Sequence, residues 1–188
     1  MSMPPRVTDA DDVVVLVDER DVPMGTAPKL QAHRDGRLHR AVSVVLFDEL
    51  GRVLLQRRAD EKYHSAGLWS NSCCGHPRPG ESVEDAARRR LDDELGIRGC
   101  VLARVAEFVY FADLGGGLIE HELDHVVVGD WWGETRPNPV EVAEVRWADA
   151  NSVLAAVAGA PQVYTAWAAA VIEQALRARD VDAVSAGR

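Results

Sequence analysis

The segment from residue 75 to residue 97 constrains this chain more than any other, because a loop rich in Gly and Pro leads directly into an amphipathic helix. We predict the helix over residues 83–95. Ser82 can cap its first turn and Gly96 can end it. One helix face must pack on a core, because apolar residues recur there at helical spacing: Val83, Ala86, Ala87, Leu91 and Leu95.

β-Strands are predicted on both sides of this helix, followed by two closing helices. Apolar and β-branched runs place the strands at residues 13–17, 41–47, 52–56, 101–111, 118–128 and 145–147, and the helices at 151–157 and 162–179. We expect one loop after Pro23, carrying Lys29 and His33, and a second over residues 57–80. So long a loop inside a compact domain is usually functional. The element order predicts the α+β class, as a mixed α/β sandwich.

Composition narrows the class of function. The 188 residues suit one domain, 1–188, with flexible tails expected at 1–10 and 180–188. A net charge of -9 argues against nucleic-acid and membrane-surface partners, because it would be repelled by phosphate, although a local basic cluster can still bind a small phosphorylated substrate. No apolar run is long enough to span a membrane, and the first ten residues lack a signal peptide. We therefore expect a cytoplasmic monomer that acts on a small molecule.

A row of acids occupies one predicted strand. Glu120 and Glu122 are two residues apart, so their carboxylates point to the same face, and Asp124 continues the row. Three carboxylates on one face repel one another unless solvent or a cation relieves them. Taken alone, the row is compatible with an exposed sheet face or with a metal site.

Histidines and cysteines are the other candidates for chemistry. A single loop histidine such as His33, His39 or His76 is weak evidence, but with the two glutamates they form a set of three nitrogens and two oxygens. Such a set suits Zn²⁺, Mn²⁺ or another borderline divalent ion, with one coordination position left over. Three cysteines cannot all pair, so at least one free thiol is available for function: Cys73, Cys74 and Cys100.

The segment that contains the helix resembles the Nudix box. Gly75, Glu81 and the ending Arg89-Arg90-Leu91-Asp92-Asp93-Glu94-Leu95-Gly96-Ile97 follow its spacing. Arg90 and Asp93 depart from it, because Nudix hydrolases carry glutamates at these two positions. Those glutamates gather divalent metals and activate water in the hydrolases. The resemblance therefore implies a Nudix-type fold, a mixed sheet flanked by helices, without implying hydrolysis.

A second motif points to a different reaction. Ser70-Asn71-Ser72-Cys73-Cys74-Gly75-His76-Pro77 resembles the cysteine motif of type I isopentenyl-diphosphate isomerases, where it also overlaps the start of a degenerate Nudix box. The resemblance implies a metal-dependent isomerase of isoprenoid biosynthesis. It would interconvert isopentenyl and dimethylallyl diphosphate by protonation and deprotonation. The similarity reaches further positions in the same order along the chain: residues 29–33, residues 37–39, Arg57, Arg58, Lys62, Tyr110, residues 120–122 and Trp167.

The resemblance also assigns roles. Glu122 is expected to protonate the alkene and Cys74, as a thiolate favoured by a nearby cation, to remove a proton on the opposite face. Tyr110 would assist proton delivery, and the ring of Trp167 would stabilise the cationic intermediate. The implied ligands of Zn²⁺ or Mn²⁺ are His33, His39, His76, Glu120 and Glu122. Glu94 is implied to help hold a Mg²⁺ that bridges to the diphosphate, and Cys74 completes the metal-binding set. The implied diphosphate ligands are Lys29, Arg58, Lys62 and Arg90.

Other residues receive no role. Cys74 is preferred to Cys73 because it lies two residues before His76, and Trp69 and Tyr164 are interpreted as core packing. The remaining histidines are left outside the site: His64, His121 and His125. Two alternatives stay open, a Nudix hydrolase of a nucleoside diphosphate derivative and a non-catalytic Nudix module that binds a phosphorylated ligand or a protein.

Overall fold

The computed structural model describes residues 13–186. Nine strands and four helices follow one another along this part of the chain. Their bounds, in chain order, are β1 (Val13–Val17), β2 (Pro23–Pro28), α1 (Lys29–Asp35), β3 (His39–Phe47), β4 (Val53–Arg58), β5 (Trp69–Ser70), β6 (Cys73–Gly75), α2 (Val83–Leu95), β7 (Leu102–Gly115), β8 (Leu118–Asp130), β9 (Val142–Ala148), α3 (Ala150–Gly159) and α4 (Ala168–Ala186).

Strand β3 holds the mixed sheet together. It runs parallel to β8 and antiparallel to β1, β4 and β6, while β7 extends the sheet beyond β8 and β9 pairs with β4. Its side chains alternate between the two faces. Val44 and Leu46 join the core under α2, whereas Val45 and Phe47 join the core under α4. Burial on both faces explains why β3 is a continuous apolar run.

A helix layer covers each face of the sheet. Leu91 and Leu95 of α2 are buried on one side, and Val171 and Ile172 of α4 on the other. The α+β class, as a mixed sandwich, is thus confirmed. The predicted bounds of α2 are confirmed as well, because the Asp85 N–H donates to Ser82 Oγ at 3.1 Å and Gly96 ends the helix at φ 64°.

The predicted loop after Pro23 is wrong. Residues 23–28 form strand β2, which pairs antiparallel with β1, and Lys29–Asp35 form helix α1. Strand β2 contains Pro and Gly and is largely exposed, so no apolar alternation marks it. Its backbone pairing with β1 determines its structure instead. The consequence is that Lys29 and His33 lie one turn apart on a helix rather than in an irregular segment.

Two other boundaries differ from the expectation. The long predicted loop at 57–80 contains the short strands β5 and β6, which hydrogen bonds with β4 and β3 create. Helix α4 begins at Ala168 rather than after Pro161, where a 3₁₀ turn stands, and it continues through Ala186. Residues 180–186 of the expected flexible tail are therefore helical, because no Gly or Pro interrupts the sequence before Gly187. The tail expected at 1–10 lies outside the described residues.

Candidate active site

A cleft opens where β3, β6 and β8 meet the segment that follows β4. Most residues singled out from the sequence line it together. They are Lys29, Arg58, Lys62, Cys74, His76, Arg90, Tyr110, Glu120, Glu122 and Trp167. His33 and His39 are fully buried behind this wall, each facing a glutamate of β8. Glu94, the remaining predicted residue, is buried and contacts Arg90.

The two glutamates and their histidines are brought together by strand register. Glu122 of β8 lies beside His39 of β3, and the period of two places Glu120, Glu122 and Asp124 on the same buried face. Glu120 Oε2 is 3.2 Å from His33 Nε2, and Glu122 Oε1 is 2.8 Å from His76 Nε2. The acidic row is therefore not an exposed sheet face.

Backbone contacts decide which ring nitrogens can bind a metal. His33 Nδ1 lies 2.7 Å from the Lys29 carbonyl, and His39 Nδ1 lies 2.8 Å from the Arg37 carbonyl. A carbonyl only accepts, so each Nδ1 carries the proton and each Nε2 presents a lone pair to a carboxylate. A cation between two such buried lone pairs, either a proton or a metal ion, removes the repulsion between them. The donor set therefore fits a divalent metal.

The charges of the glutamate pair are unequal. Burial, together with the neighbouring Glu122, raises the pKa of Glu120 well above its usual value. Burial acts in the same direction on Glu122, but its interactions with His39 and His76 outweigh burial and hold its pKa well below the usual value. Burial also lowers the pKa of His76 to about 3, so this ring is neutral and can donate a nitrogen lone pair to a metal. Glu122 is the ionised member of the pair.

Tyr110 and Glu122 stand directly opposite each other on β7 and β8. The Tyr110 hydroxyl donates to Glu122 Oε2 at 2.5 Å, while the other oxygen of Glu122 faces the histidines. Burial, followed by the nearby glutamates, raises the pKa of Tyr110 well above its usual value, so the phenol stays protonated. A hydrogen-bond donor is therefore held on the carboxylate at the cleft.

Cys74 is held by three polar neighbours. The Trp167 indole N–H donates to Cys74 Sγ at 3.2 Å, and the thiol donates to Asn71 Oδ1 at 3.2 Å. Ser43 Oγ lies 3.5 Å from the sulfur, because Ser43 of β3 pairs with Cys74 of β6. Asn71 is itself fixed, since its amide group donates to two backbone carbonyls. Cys73 points the other way and is fully buried in the core under α2.

The thiol of Cys74 is neutral in this environment. Burial raises its pKa to about 12, and the carboxylate of Asp124 adds to the rise. Arg58 lowers the pKa, but it contributes less than these two causes. A nearby cation, Arg58, thus favours the thiolate as expected, but burial and Asp124 outweigh it and leave the group a thiol.

Four cations converge on the same cleft. The side chains of Lys29, Arg58, Lys62 and Arg90 are all largely buried, and Arg58 also lies over the ring of Trp167 at 5.7 Å. Buried cations are costly unless anions accompany them. Glu141, in the segment before β9, contacts Lys62 and lies 3.3 Å from Arg90 Nη2. The carboxylate of Glu141 thus accompanies two of the four cations of this wall.

Arg90 and Asp93, the two positions that depart from the hydrolase box, do not form a group of metal-binding carboxylates with Glu94. Arg90 Nη2 is 2.6 Å from Glu94 Oε1, and its side chain passes so close to Gly75 that a Cβ there would lie 2.7 Å from it. Gln56 donates to the other oxygen of Glu94 at 2.8 Å. Asp93 is exposed on the outside of α2. A guanidinium therefore accompanies Glu94 where hydrolases carry a second acid.

The structure adds residues that the sequence did not single out. His64 is predicted to lie outside the site, yet it lines the cleft, with Nδ1 3.6 Å from Glu120 Oε1. This prediction is wrong, because the segment after β4 folds back over the histidines. The sequence could have pointed to His64, because it lies two residues after Lys62. It could also have pointed to Asn71, which fixes the thiol of Cys74, because it lies within the cysteine motif. Neither sequence distance nor a motif could have pointed to Glu141.

The other neighbouring residues do not line this cleft. His125 lies on the opposite side of β8, near Asp21 and Glu107, and His121 contacts the Gly36 carbonyl. Trp69 and Tyr164 belong to the core under α4. None of the helices in the described part of the chain is long and apolar enough to cross a membrane.

Comparison with known proteins was made at the level of sequence and of structure. A family model described as "NUDIX domain" matches residues 37–168. Isopentenyl-diphosphate Delta-isomerase 2 of Aromatoleum aromaticum is 46% identical over 176 residues, covering 94% of this chain and 93% of that protein. Isopentenyl-diphosphate Delta-isomerase of Nocardia farcinica is 51% identical over 162 residues, covering 85% and 92%.

Solved structures agree on the fold. The crystal structure of DR0079 from Deinococcus radiodurans superposes with a TM-score of 0.73 at 22% identity, covering 87% of this chain and 98% of that one. The MutT protein from Methanosarcina mazei superposes with a TM-score of 0.61 at 20% identity, covering 74% and 94%. At these identities the likeness concerns architecture alone.

Proposed function

The chain belongs to the Nudix family and, within it, to the isopentenyl-diphosphate Delta-isomerases, and on this premise we propose that it interconverts isopentenyl and dimethylallyl diphosphate. The observation that carries the proposal is the pairing of two proton-transfer groups across one cleft, Cys74 held by Trp167 and Glu122 held by Tyr110. The proposal includes a monomer that works in the cytoplasm on a small-molecule substrate.

The reaction moves one double bond by two proton transfers. An unactivated alkene is a poor base, so a well-placed acid must protonate its terminal carbon. Glu122 gives that proton with the help of Tyr110, leaving a cation at the tertiary carbon. Cys74, as thiolate, takes a proton from the neighbouring carbon next to the diphosphate arm, and the new double bond forms. One forward turnover starts from Glu122 as carboxylic acid and Cys74 as thiolate, and it leaves Glu122 as carboxylate and Cys74 as thiol, the states that their pKa shifts favour. Before the next forward turnover a proton must therefore return from Cys74 to Glu122 through solvent.

The cationic intermediate needs neighbours that stabilise it without forming a bond to it. The ring of Trp167 is 4% exposed, and its indole nitrogen is 3.2 Å from Cys74 Sγ. Because the ring also lines the cleft, it can stabilise positive charge on a substrate bound there. Tyr110 lies on the same wall, with its ring centroid 6.3 Å from that of Trp167. Both aromatic side chains also exclude water, which would otherwise trap a carbocation.

Two metal roles belong to the proposal. His33, His39, His76, Glu120 and Glu122 would hold Zn²⁺ or Mn²⁺, and Glu94 would help hold a Mg²⁺ at the diphosphate, where Cys74 is also near. A cation bound at the histidines would relieve repulsion between the glutamates and fix the orientation of Glu122. Lys29, Arg58, Lys62 and Arg90 would bind the diphosphate oxygens, which keeps the alkene arm beside Cys74.

Hydrolysis of a nucleoside diphosphate derivative fits these residues less well. It would need the acids that gather metals on the Nudix helix, and this chain has Arg90 paired with Glu94 and an exposed Asp93 instead. A module that only binds a ligand would not require Cys74 and Glu122 to be held across one cleft.

The deciding experiment supplies purified protein with isopentenyl diphosphate, Mg²⁺ and a trace of Zn²⁺ or Mn²⁺ in D₂O. We expect dimethylallyl diphosphate to form and deuterium to enter both compounds. NMR and mass spectrometry measure both changes. Release of phosphate or diphosphate without isomerisation would favour the hydrolase. Binding without any turnover would favour the non-catalytic module.

Glu141 provides a test of the diphosphate site. Its carboxylate competes with diphosphate for Lys62 and Arg90, so Glu141→Gln should tighten the binding of inorganic diphosphate. A partly buried ion pair contributes about 1 kcal/mol. If diphosphate no longer has to displace it, the Kd of diphosphate should fall by roughly fivefold. Isothermal titration calorimetry measures this Kd. Glu144→Gln is the matched control, because Glu144 pairs with the outward-pointing Arg57. Weaker binding in Glu141→Gln would mean that Glu141 helps to hold the ligand.

A further inference from the structure

His64 occupies a position that its sequence context does not explain. The side chain is 6% exposed and sits in the segment between β4 and β5. Its Nδ1 lies 3.6 Å from Glu120 Oε1, and Oε2 of the same carboxylate lies 3.2 Å from His33 Nε2. Two ligands of one octahedral ion with bonds of about 2.1 Å lie about 3.0 Å apart when adjacent and about 4.2 Å apart when opposite. His33, His64 and Glu120 are therefore spaced as ligands of a single ion.

A second group of potential ligands shares one member with this set. His33, His39, His76 and Glu122 also present atoms within 4.8 Å of one another. His33 can serve one ion only, because its Nδ1 is committed to the Lys29 carbonyl and Nε2 alone remains. Because both groups depend on this one nitrogen, two ions cannot occupy them at the same time.

We propose that His64 is the sixth protein ligand of the metal centre. The inference rests on the proposed function, which assigns the other five ligands. The two groups together contain six residues, which would supply four nitrogens and two oxygens to one ion: His33, His39, His64, His76, Glu120 and Glu122. Six such donors complete an octahedral shell, so no coordination position is left for water or substrate. A closed shell is typical of structural metal sites, whereas catalytic sites keep an open position.

An ion with a closed shell would have a structural role in this chain. The ion would hold Glu122 in place and tie the segment after β4 to helix α1 and strand β8. That segment also carries Lys62 and follows Arg58, two cations of the diphosphate wall. Loss of His64 should therefore loosen the metal. The alternative role for His64 is a contact with substrate, because its ring also lies 6.4 Å from that of Trp167.

The test measures metal binding without substrate. Full-length protein, freed of metal with a chelator, is titrated with Zn²⁺ against a competing chelator and with Co²⁺ by visible spectroscopy. Loss of a residue that merely orients a ligand weakens metal binding about 10- to 100-fold, so His64→Ala should raise the Zn²⁺ Kd at least about tenfold. Its bound Co²⁺ should absorb more strongly, because five-coordinate Co²⁺ has more intense bands than octahedral Co²⁺. His64→Gly with added imidazole should recover the wild-type spectrum.

Two controls make each outcome decisive. His121→Ala removes a histidine of β8 outside the centre and should leave the Zn²⁺ Kd and the Co²⁺ spectrum unchanged. His39→Ala should lose the metal, and its failure to do so would contradict the five-ligand assignment rather than the role of His64. Circular dichroism checks that His64→Ala is folded. If the folded variant has an unchanged Zn²⁺ Kd and an unchanged Co²⁺ spectrum, the inference is overturned. Weaker diphosphate binding with unchanged metal binding would also overturn it. A metal effect in a chain that fails to isomerise would uphold it and reject the proposed function.

Discussion

Cys74→Ala should lower kcat for isomerisation by about 10²- to 10⁴-fold, the usual contribution of a positioned acid or base. Alanine has no ionisable group, and the site offers no substitute, because the neighbours of the sulfur are an indole N–H, an amide oxygen and a hydroxyl. KM should change little, since in the proposed arrangement the diphosphate is bound by cationic side chains and not by the thiol of Cys74. Steady-state kinetics in both directions, with deuterium exchange at the allylic carbon, measures the loss.

The adjacent cysteine offers a matched control. Cys73 is fully buried in the core under α2, so Cys73→Ala should leave kcat near the wild-type value and cost about 1 kcal/mol of stability through a small cavity. Thermal unfolding of both variants separates stability from catalysis. Near-full activity in Cys74→Ala, or its loss in Cys73→Ala alone, would reject the assignment of the base.

The parts of the site that the sequence predicts are those that depend on local period and on motif. Glu120 and Glu122 could be placed on one face because a strand alternates with a period of two. The Gly96 stop and the Ser82 cap follow from the chemistry of helix ends, and they set the length of α2. These features arise within about a dozen neighbouring residues, which is the range over which pattern and propensity act.

The parts that sequence could not predict depend on pairing between distant segments. Strand β2 exists because β1 offers it a backbone partner, although its own side chains are largely exposed. The pKa of Cys74 depends on burial and on Asp124, which lies 50 positions away in the chain. Glu141 reaches Lys62 and Arg90 only because β9 pairs with β4. No local pattern records such contacts, so charge states and long-range partners had to come from the structure.

Glu122→Gln should remove two functions at once. The amide keeps the shape of the side chain, but it cannot donate an acidic proton to an alkene and it is a poorer metal ligand than a carboxylate. We expect kcat to fall toward the upper end of the range of about 10²- to 10⁴-fold. The Zn²⁺ Kd should rise in the same variant, because the carboxylate faces His39 and His76 at 3.4 and 2.8 Å. Glu134→Gln, at an exposed position, is the control for the loss of one charge.

Tyr110→Phe separates the two functions of Glu122. The phenylalanine keeps the aromatic wall and removes the hydroxyl that donates to Glu122 Oε2 at 2.5 Å, whereas the oxygen that faces the histidines is untouched. Kinetics should therefore show a lower kcat for this variant, while chelator competition should show a Zn²⁺ Kd equal to that of the wild type. If Glu122 acted only as a metal ligand, activity in Glu122→Gln would return at saturating Zn²⁺ and Tyr110→Phe would stay active. If it is also the acid, saturating metal leaves Glu122→Gln inactive, because the missing component is the proton.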